Sequence, residues 1–391
     1  MSTPFKFKDS AGNTVDFEDY YVRSDYFRSG NLWVWGRNAY GQLGDNTIID
    51  RSSPVQTIAW GSNWKEVSVG SNHTTCIKTD GTLWCWGQGT LGRLGDNTVT
   101  KRSSPVQTIA YGTNWKQVSA GYTHTAAIKT DGTLWCWGEN YQGKLGDNTI
   151  ASKSSPVQTV TFGNNWKQTS AGRNHTAAIK TDGTLWTWGS NSYGQLGDNT
   201  ISSKSSPIQT IAGGTNWLQV SCSDRISSAI KTDGTLWVWG TNSFGSIGDN
   251  TAANKSSPVQ TVAGGTNWKQ VSCGSFCIVA VKKDGTLWSW GWNGSGKLGD
   301  NTILDKSSPV QTVAFGTNWK QVAFGDNITA AVKTDGTLWT WGQNNNLGQL
   351  GDNTRIDRSS PVQTIMYGTN WKSVACGRDD TAAIQYQDDY Q

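Results

Sequence analysis

Ten residues, KTDGTLWCWG at 78–87, return almost unchanged at 129–138, 180–189, 231–240, 282–291 and 333–342, and a seventh copy keeps only NLWVWG at 31–36. The first tryptophan of LWxWG falls at Trp33, Trp84, Trp135, Trp186, Trp237, Trp288 and Trp339, a constant step of 51 residues. A second tryptophan series stands at Trp64, Trp115, Trp166, Trp217, Trp268, Trp319 and Trp371. Its last step is one longer, because QNNNLGQLG at 343–351 carries an extra residue. A period of this length means one structural unit repeated, and it overrides any domain count taken from the chain length of 391. With the second tryptophan of each LWxWG, Trp35 to Trp341, three series of seven use 21 of the 23 tryptophans and leave only Trp60 and Trp292 outside the pattern.

Each unit reads as four short strands: NWKQVSAG, HTAAIKT, TLWTWG and SPVQT. No helical period of apolar residues appears. Asp-Gly between the second and third strands predicts a tight hairpin with a type I′ turn, which needs positive φ at both central positions. The two tryptophans of LWxWG are two residues apart and so lie on one strand face. Each buries about 150–250 Å², more than one four-stranded sheet can cover alone. Seven sheets around an axis cover one another and leave no long open edge. The strand holding Ser-Ala-Gly is expected innermost, where space is tightest. Seven LWxWG strands stand beside only six intact DGT turns. The expected architecture is therefore an all-β, seven-bladed β-propeller of four-stranded antiparallel blades. Trp371–Tyr386 and Leu32–Thr57 supply two strands each to the closing blade. The propeller takes residues 26–391, and residues 1–25 form a leader outside the repeats.

The net charge of +4 neither demands nor excludes an anionic partner. No apolar run is long enough for a membrane span, so no membrane insertion is expected. The N-terminus lacks the apolar core of a signal peptide. The seven cysteines stand where other copies hold small or apolar residues, as Cys85 and Cys136 do at the place of Val34 and Thr187. Reduced core filler is the favoured reading over a disulfide framework, which places synthesis in a reducing cytoplasm.

WGRNAYGQLGDNT, WGSNSYGQLGDNT and VSAGYTHTAAIKTDGTLWCWG resemble the repeat of the regulator of chromosome condensation family, a seven-bladed propeller. The resemblance covers roughly residues 30–386. Other propeller repeats match less well: there is no Trp-Asp closing a strand, no kelch glycine pair and no sialidase Asp-box spacing. The family implies exchange factors for a small GTPase, a plant ultraviolet-B photoreceptor, β-lactamase inhibitors, or repeat proteins of other roles. The photoreceptor's Gly-Trp-Arg-His-Thr motif meets GSNHT, GYTHT and GRNHT here, without its tryptophan, so light sensing is not expected. The near-constant repeat length leaves no room for an exchange factor's inserted wedge.

His73, His124 and His175 share one repeat position, but Ile226, Cys277, Ile328 and Asp380 hold it elsewhere. A structural histidine is the better reading than a metal ligand. The aspartates of GDNT, from Asp45 to Asp352, read as Asx-type turns rather than a calcium ring. Two basic series, Arg51 to Arg358 before Ser-Ser-Pro and Lys78 to Lys333 before Asp-Gly, read as interleaved charge solvating a surface. A nucleic-acid partner is not expected. No catalytic triad, phosphate loop or isolated carboxylate pair appears, so neither enzymatic activity nor a cofactor is expected.

The copies can be compared with one another. Up-and-down strands put the first-to-second turn and the third-to-fourth loop on one face, and the Asp-Gly turn and blade link on the other. The Asp-Gly turns barely change. The other face varies, its turns reading SN, YT, RN, DR, SF, DN and RD. Variable, large side chains on a constant scaffold fit a recognition surface. The candidate binding residues are Tyr40, Tyr122, Arg173, Tyr193, Arg225, Phe244, Phe276, Trp292 and Arg378. A partial aromatic ring on the opposite face, Trp60, Tyr111, Phe162, Phe315 and Tyr367, is the competing feature. In the leader, FKFK and TVDFED can pair as a hairpin that caps the fold or attaches it to an assembly. The expected function is a non-catalytic binding or display module, with a protein or surface receptor as partner. In style it is similar to repeat propellers borne on phage particles, where residues 1–25 would contact virion subunits. The alternative is a regulator of a small GTPase or other protein.

Overall fold

The computed structural model describes residues 6–8, 14–16, 30–58, 61, 63–109, 112–160, 163–314, 316–366 and 368–386. Blade 2 shows the unit. Trp115–Ala120, His124–Lys129, Leu134–Gly138 and Lys153–Gln158 pair in chain order as an antiparallel sheet. Residues 64–107, 166–209, 217–260, 268–311 and 319–363 form blades 1, 3, 4, 5 and 6 in the same way. The seventh is built from both ends of the chain. Gly30–Gly36 pairs along its whole length with Asp380–Tyr386, from Gly30 opposite Tyr386 to Gly36 opposite Asp380. Trp371–Cys376 lies inside this pair and Arg51–Gln56 outside it. The ring is thus closed without a covalent turn, as the missing seventh Asp-Gly implies. Outside it, Lys6–Lys8 pairs antiparallel with Thr14–Asp16, the hairpin read from FKFK and TVDFED. Phe5 and Phe17 lie outside the described residues.

The core lies between blades. Ile128, Leu134 and Cys136 of blade 2 pack against Trp166, Ala178 and Trp188 of blade 3. The second tryptophan of each LWxWG is the fully buried one. In six of the seven copies its indole N–H crosses to the preceding blade, as Trp188 Nε1 does to Lys144 O at 2.9 Å and Trp137 Nε1 to Arg93 O at 3.0 Å, while Trp35 Nε1 has no partner among the described residues. This explains the glycine of LGDN. A Cβ on Gly146, at φ +70°, would lie 2.7 Å from the Trp188 indole nitrogen. The seven cysteines are buried free thiols that fill this core.

First strands line the axis, and side chains there bond the next blade's backbone. Gln117 Oε1 accepts from Thr169 N–H at 2.8 Å, while its Nε2 donates to Thr169 O at 2.9 Å. Gln168, Gln219, Gln270 and Gln321 repeat the clamp. Glu66 replaces glutamine in blade 1 and Ser373 in the closing blade.

Two expectations about the turns change. The hairpin is not type I′, because among its loop residues only glycine has positive φ, as in Gly132 at +80°. Gly132 N–H donates to Lys129 O and Lys129 N–H to Thr133 O. That is a three-residue loop, a type I turn ending in a glycine bulge. The lysines do more than solvate a surface, and the aspartates two residues on accept from the following threonine, as Asp131 does from Thr133. Each ammonium lies over two tryptophans. Lys129 Nζ is 5.0 Å from the Trp115 ring and 4.7 Å from the Trp135 ring. Cation–π contacts contribute about 0.5–2 kcal/mol depending on desolvation. Lys129→Met, which keeps the stem but not the charge, should cost about 0.5–1.5 kcal/mol in urea unfolding. A variant as stable as the wild type would show the stacking to be idle.

Candidate functional site

The GDNT loops settle several sequence candidates as structural. Asn46 and its equivalents sit at φ near +60°, a conformation asparagine tolerates. Asp45 Oδ1 accepts from Thr47 N–H and Oγ1–H, the expected Asx-type turn. Its Oδ2 pairs with Arg51 at 2.8 Å. The same spacing joins Arg102 to Asp96 and Arg358 to Asp352. The first basic series is therefore an internal ion-pair set and not free surface charge.

The histidines staple neighbouring blades. His73, His124 and His175 present Nε2 to Thr125, Thr176 and Ser227 at 3.0, 2.8 and 2.8 Å. Each hydroxyl donates its hydrogen to a backbone carbonyl, as Thr125 does to Arg93 O. The imidazole must therefore be the donor, as the neutral Nε2–H tautomer. Burial holds His73 and His175 down at about 3 and His124 well below its ordinary value. Among the described residues no three His, Cys, Asp or Glu side chains group to hold a metal.

The nine variable-face candidates behave differently, because the structure joins them in one network. Arg37 lies over the Tyr40 ring at 5.8 Å and reaches Asp379, which Arg378 also approaches. Arg378 Nη1 donates to Tyr122 OH at 2.9 Å, across the small Ser71 turn of blade 1. Arg173 stacks on the Tyr122 ring at 4.4 Å and shares Asp224 with Arg225. Arg225 stacks on Tyr193 at 4.4 Å and donates to its hydroxyl at 2.9 Å. Beyond Arg225 the arc turns aromatic. Phe276 lies 5.4 Å edge-on to Phe244, and Phe244 lies 6.0 Å from Trp292. Lys297 Nζ sits 3.9 Å under the Trp292 ring and donates to Ser275 O and Asp326 O.

Arg37, Asp224, Asp379 and Lys297 belong to the network and were not among the candidates. Asp224 and Asp379 stand in the variable DR and RD turns, where large side chains outranked carboxylates. Lys297 aligns with Gln42, Arg93, Lys144, Gln195, Ser246 and Gln349, and Arg93 and Lys144 likewise donate to the turn carbonyls of Tyr122 and Arg173, so the role belongs to the cations at a position that glutamine and serine also fill. The arc curves around the mouth of an axial cavity of about 160 Å³, whose lining includes Ser71, Ser223 and Ser275. Burial pushes the Asp326 carboxyl up at this mouth, where Ser275 Oγ donates to it at 2.8 Å. The competing ring on the opposite face, Trp60, Tyr111, Phe162, Phe315 and Tyr367, lies outside the described residues.

Comparison with known proteins agrees with this architecture. Residues 26–275 match the RCC1-like domain, and residues 284–332 and 335–384 match the regulator of chromosome condensation (RCC1) repeat. The ultraviolet-B receptor UVR8 of Arabidopsis thaliana is 33% identical over 84% of this chain and 76% of its own length. The E3 ubiquitin-protein ligase HERC2 of Homo sapiens is 28% identical over 91% of this chain, which spans 8% of that protein. Among solved structures, Prp20p of Saccharomyces cerevisiae, described with its binding to Gsp1p and histones, superposes at TM-score 0.81. It has 19% identity, with 96% of each chain covered. Human WBSCR16 gives TM-score 0.80 with 21% identity over 92% of this chain and 99% of its own.

Proposed function

The chain belongs to the regulator of chromosome condensation (RCC1) family, and from that premise we propose that it is a protein-recognition propeller whose variable face holds a partner without transforming it. One observation carries the reading. Every candidate residue on the varying turns falls into a single stacked and bonded arc, while the Asp-Gly turns repeat one structural solution. Arginine and aromatic side chains carry most of the energy at protein interfaces. Here their rotamers are fixed by one another before a partner arrives, which lowers the ordering cost of binding.

The setting we favour is a display or attachment module, on a virion or another surface. Residues 1–25 dock it to the assembly, and the arc meets a receptor or a neighbouring subunit. The near-identity of the copies and the leader outside the repeats support this setting. The second reading is a regulator of a small GTPase or another soluble protein, favoured by the similarity to Prp20p and its described binding to Gsp1p.

Affinity capture from the native source tests both. The wild type runs beside a variant with Tyr40, Tyr122, Tyr193 and Trp292 changed to Ala. A specific partner retained by the wild type should fall at least tenfold with the variant. Envelope or virion components identify the display setting, and a GTPase identifies the regulator. Equal recovery by both proteins contradicts recognition through this face.

A further inference from the structure

The arc also specifies the chemistry of what it takes, an inference that rests on the protein-recognition reading above. Four arginines share two carboxylates. Arg37 and Arg378 approach Asp379 at 3.4 and 3.5 Å, and Arg173 and Arg225 approach Asp224 at 3.5 and 3.8 Å. Charge-assisted N–H···O bonds are about 2.7–2.9 Å long. The same fold supplies an internal comparison at that length, Arg51 to Asp45 at 2.8 Å and Arg102 to Asp96 at 2.9 Å. The arc arginines are therefore held near their aspartates without being used up by them. Each guanidinium has five N–H donors, and Arg173, Arg225 and Arg378 remain about 40% exposed while Asp224 is buried. Stacking and the tyrosine hydroxyls fix the guanidiniums in place.

The cavity beneath is unfinished in a matching way. Ser71 Oγ is buried at its wall with no hydrogen-bond partner among the described residues, and its hydroxyl can donate to a carboxylate. Such a group costs free energy unless something completes it. Around the arc, on the third-to-fourth-strand loops of the same face, stand exposed aliphatic side chains: Ile48, Val99, Ile150, Ile201, Ile303 and Ile356. A basic centre inside an apolar rim fits a protein surface. A nucleic acid would leave the rim without a counterpart. A second copy of this chain would set arginine against arginine.

We infer that the arc binds an acidic protein segment, whose carboxylates take the free donors of Arg173, Arg225 and Arg378 while flanking apolar side chains meet the aliphatic rim. A fluorescein-labelled peptide of Asp, Glu and Leu tests this by anisotropy against the full chain. The comparisons are its Asn/Gln counterpart and a single-stranded oligonucleotide of equal charge. The acidic peptide should bind at least tenfold tighter than the neutral one, and more weakly as salt rises. Arg173→Ala with Arg225→Ala should lose at least tenfold. Arg102→Ala with Arg358→Ala removes the same charge from tightly paired sites and should lose less than twofold. Arg225→Lys should fall between them, because a point charge cannot replace a planar fork. Equal binding of the neutral peptide, tighter binding of the oligonucleotide, or equal loss in both double variants would each overturn the inference. If a native partner is captured through the arc while the acidic peptide fails, the charge assignment falls and protein recognition stands. If neither binds, both fall.

Discussion

Trp188→Ala is expected to lower the unfolding free energy by about 3–5 kcal/mol, the range for truncating a fully buried large aromatic. Trp188 has no exposed surface, packs 6.2 Å from the Trp166 ring and gives its indole N–H to Lys144 O of the preceding blade. Truncation removes apolar contact and also strips a buried carbonyl of a donor. Trp186, two residues earlier and half-buried, should cost clearly less when cut to alanine. Trp137 occupies the same place one blade earlier, with its indole N–H on Arg93 O. Trp137→Ala should therefore match Trp188→Ala within about 1 kcal/mol, since equivalent contacts carry similar energies. Denaturant unfolding of the three variants checks the ranking. A Trp186 variant less stable than the Trp188 variant would mean that the blade cores are not where the fully buried indoles lie.

Glu66→Gln is expected to stabilise the protein by about 1–3 kcal/mol above neutral pH and to leave it nearly unchanged near pH 4. Five glutamines at this position each accept an N–H and donate to a C=O of the next blade. Glu66 Oε1 accepts from Val118 N–H at 3.1 Å, but an ionised carboxylate has no hydrogen for the carbonyl. Burial pushes Glu66 up from 4.5 to about 7, against the opposing pull of its Val118 hydrogen bond and of Lys65 and Lys372. The folded-state value lies above the unfolded one. The associated stability is therefore fully present below about pH 4.5 and is lost as the pH rises through about 7. A shift of that size would be worth about 3 kcal/mol at full burial. The partial exposure of Glu66 to the axial channel lowers the expectation. His73, His124 and His175 titrate in the opposite sense, losing stability as the solution becomes acid, so the difference between wild type and variant is the quantity to follow. Gln117→Glu should create a second pH-sensitive joint of the same sign. Parallel stability curves for wild type and Glu66→Gln from pH 4 to 8 would contradict the account.

The ring was legible because its determinants are local and repeated. The constant tryptophan step, the Asp-Gly hairpins and the one missing turn specify seven blades and their closure. The interleaved charges do more than solvate a surface, and their spacing in sequence does not give their partners in space. Lys129 stands two residues from Asp131 but stacks on Trp115 and Trp135, while Arg51 pairs with an aspartate six residues back. The Asp-Gly dipeptide located the hairpin but not its turn type, since that depends on the loop length set by the flanking register. Within the candidate site, comparing the copies found the varying side chains. It did not find their partners. Tyr122 and Arg378 are 256 residues apart and meet only because the ring closes. Asp224 and Asp379 look like ordinary turn residues until each is seen between two arginines.

The most direct test of recognition through the variable face is hydrogen–deuterium exchange of the full chain, free and saturated with its captured partner. Protection should concentrate on the turns at 121–123, 172–174, 223–225 and 275–276 and on the loops around Tyr193 and Trp292. The Asp-Gly turns at 130–133 and 181–184 should exchange as in the free protein. Protection confined to the Asp-Gly face, with the arc unchanged, would contradict the account.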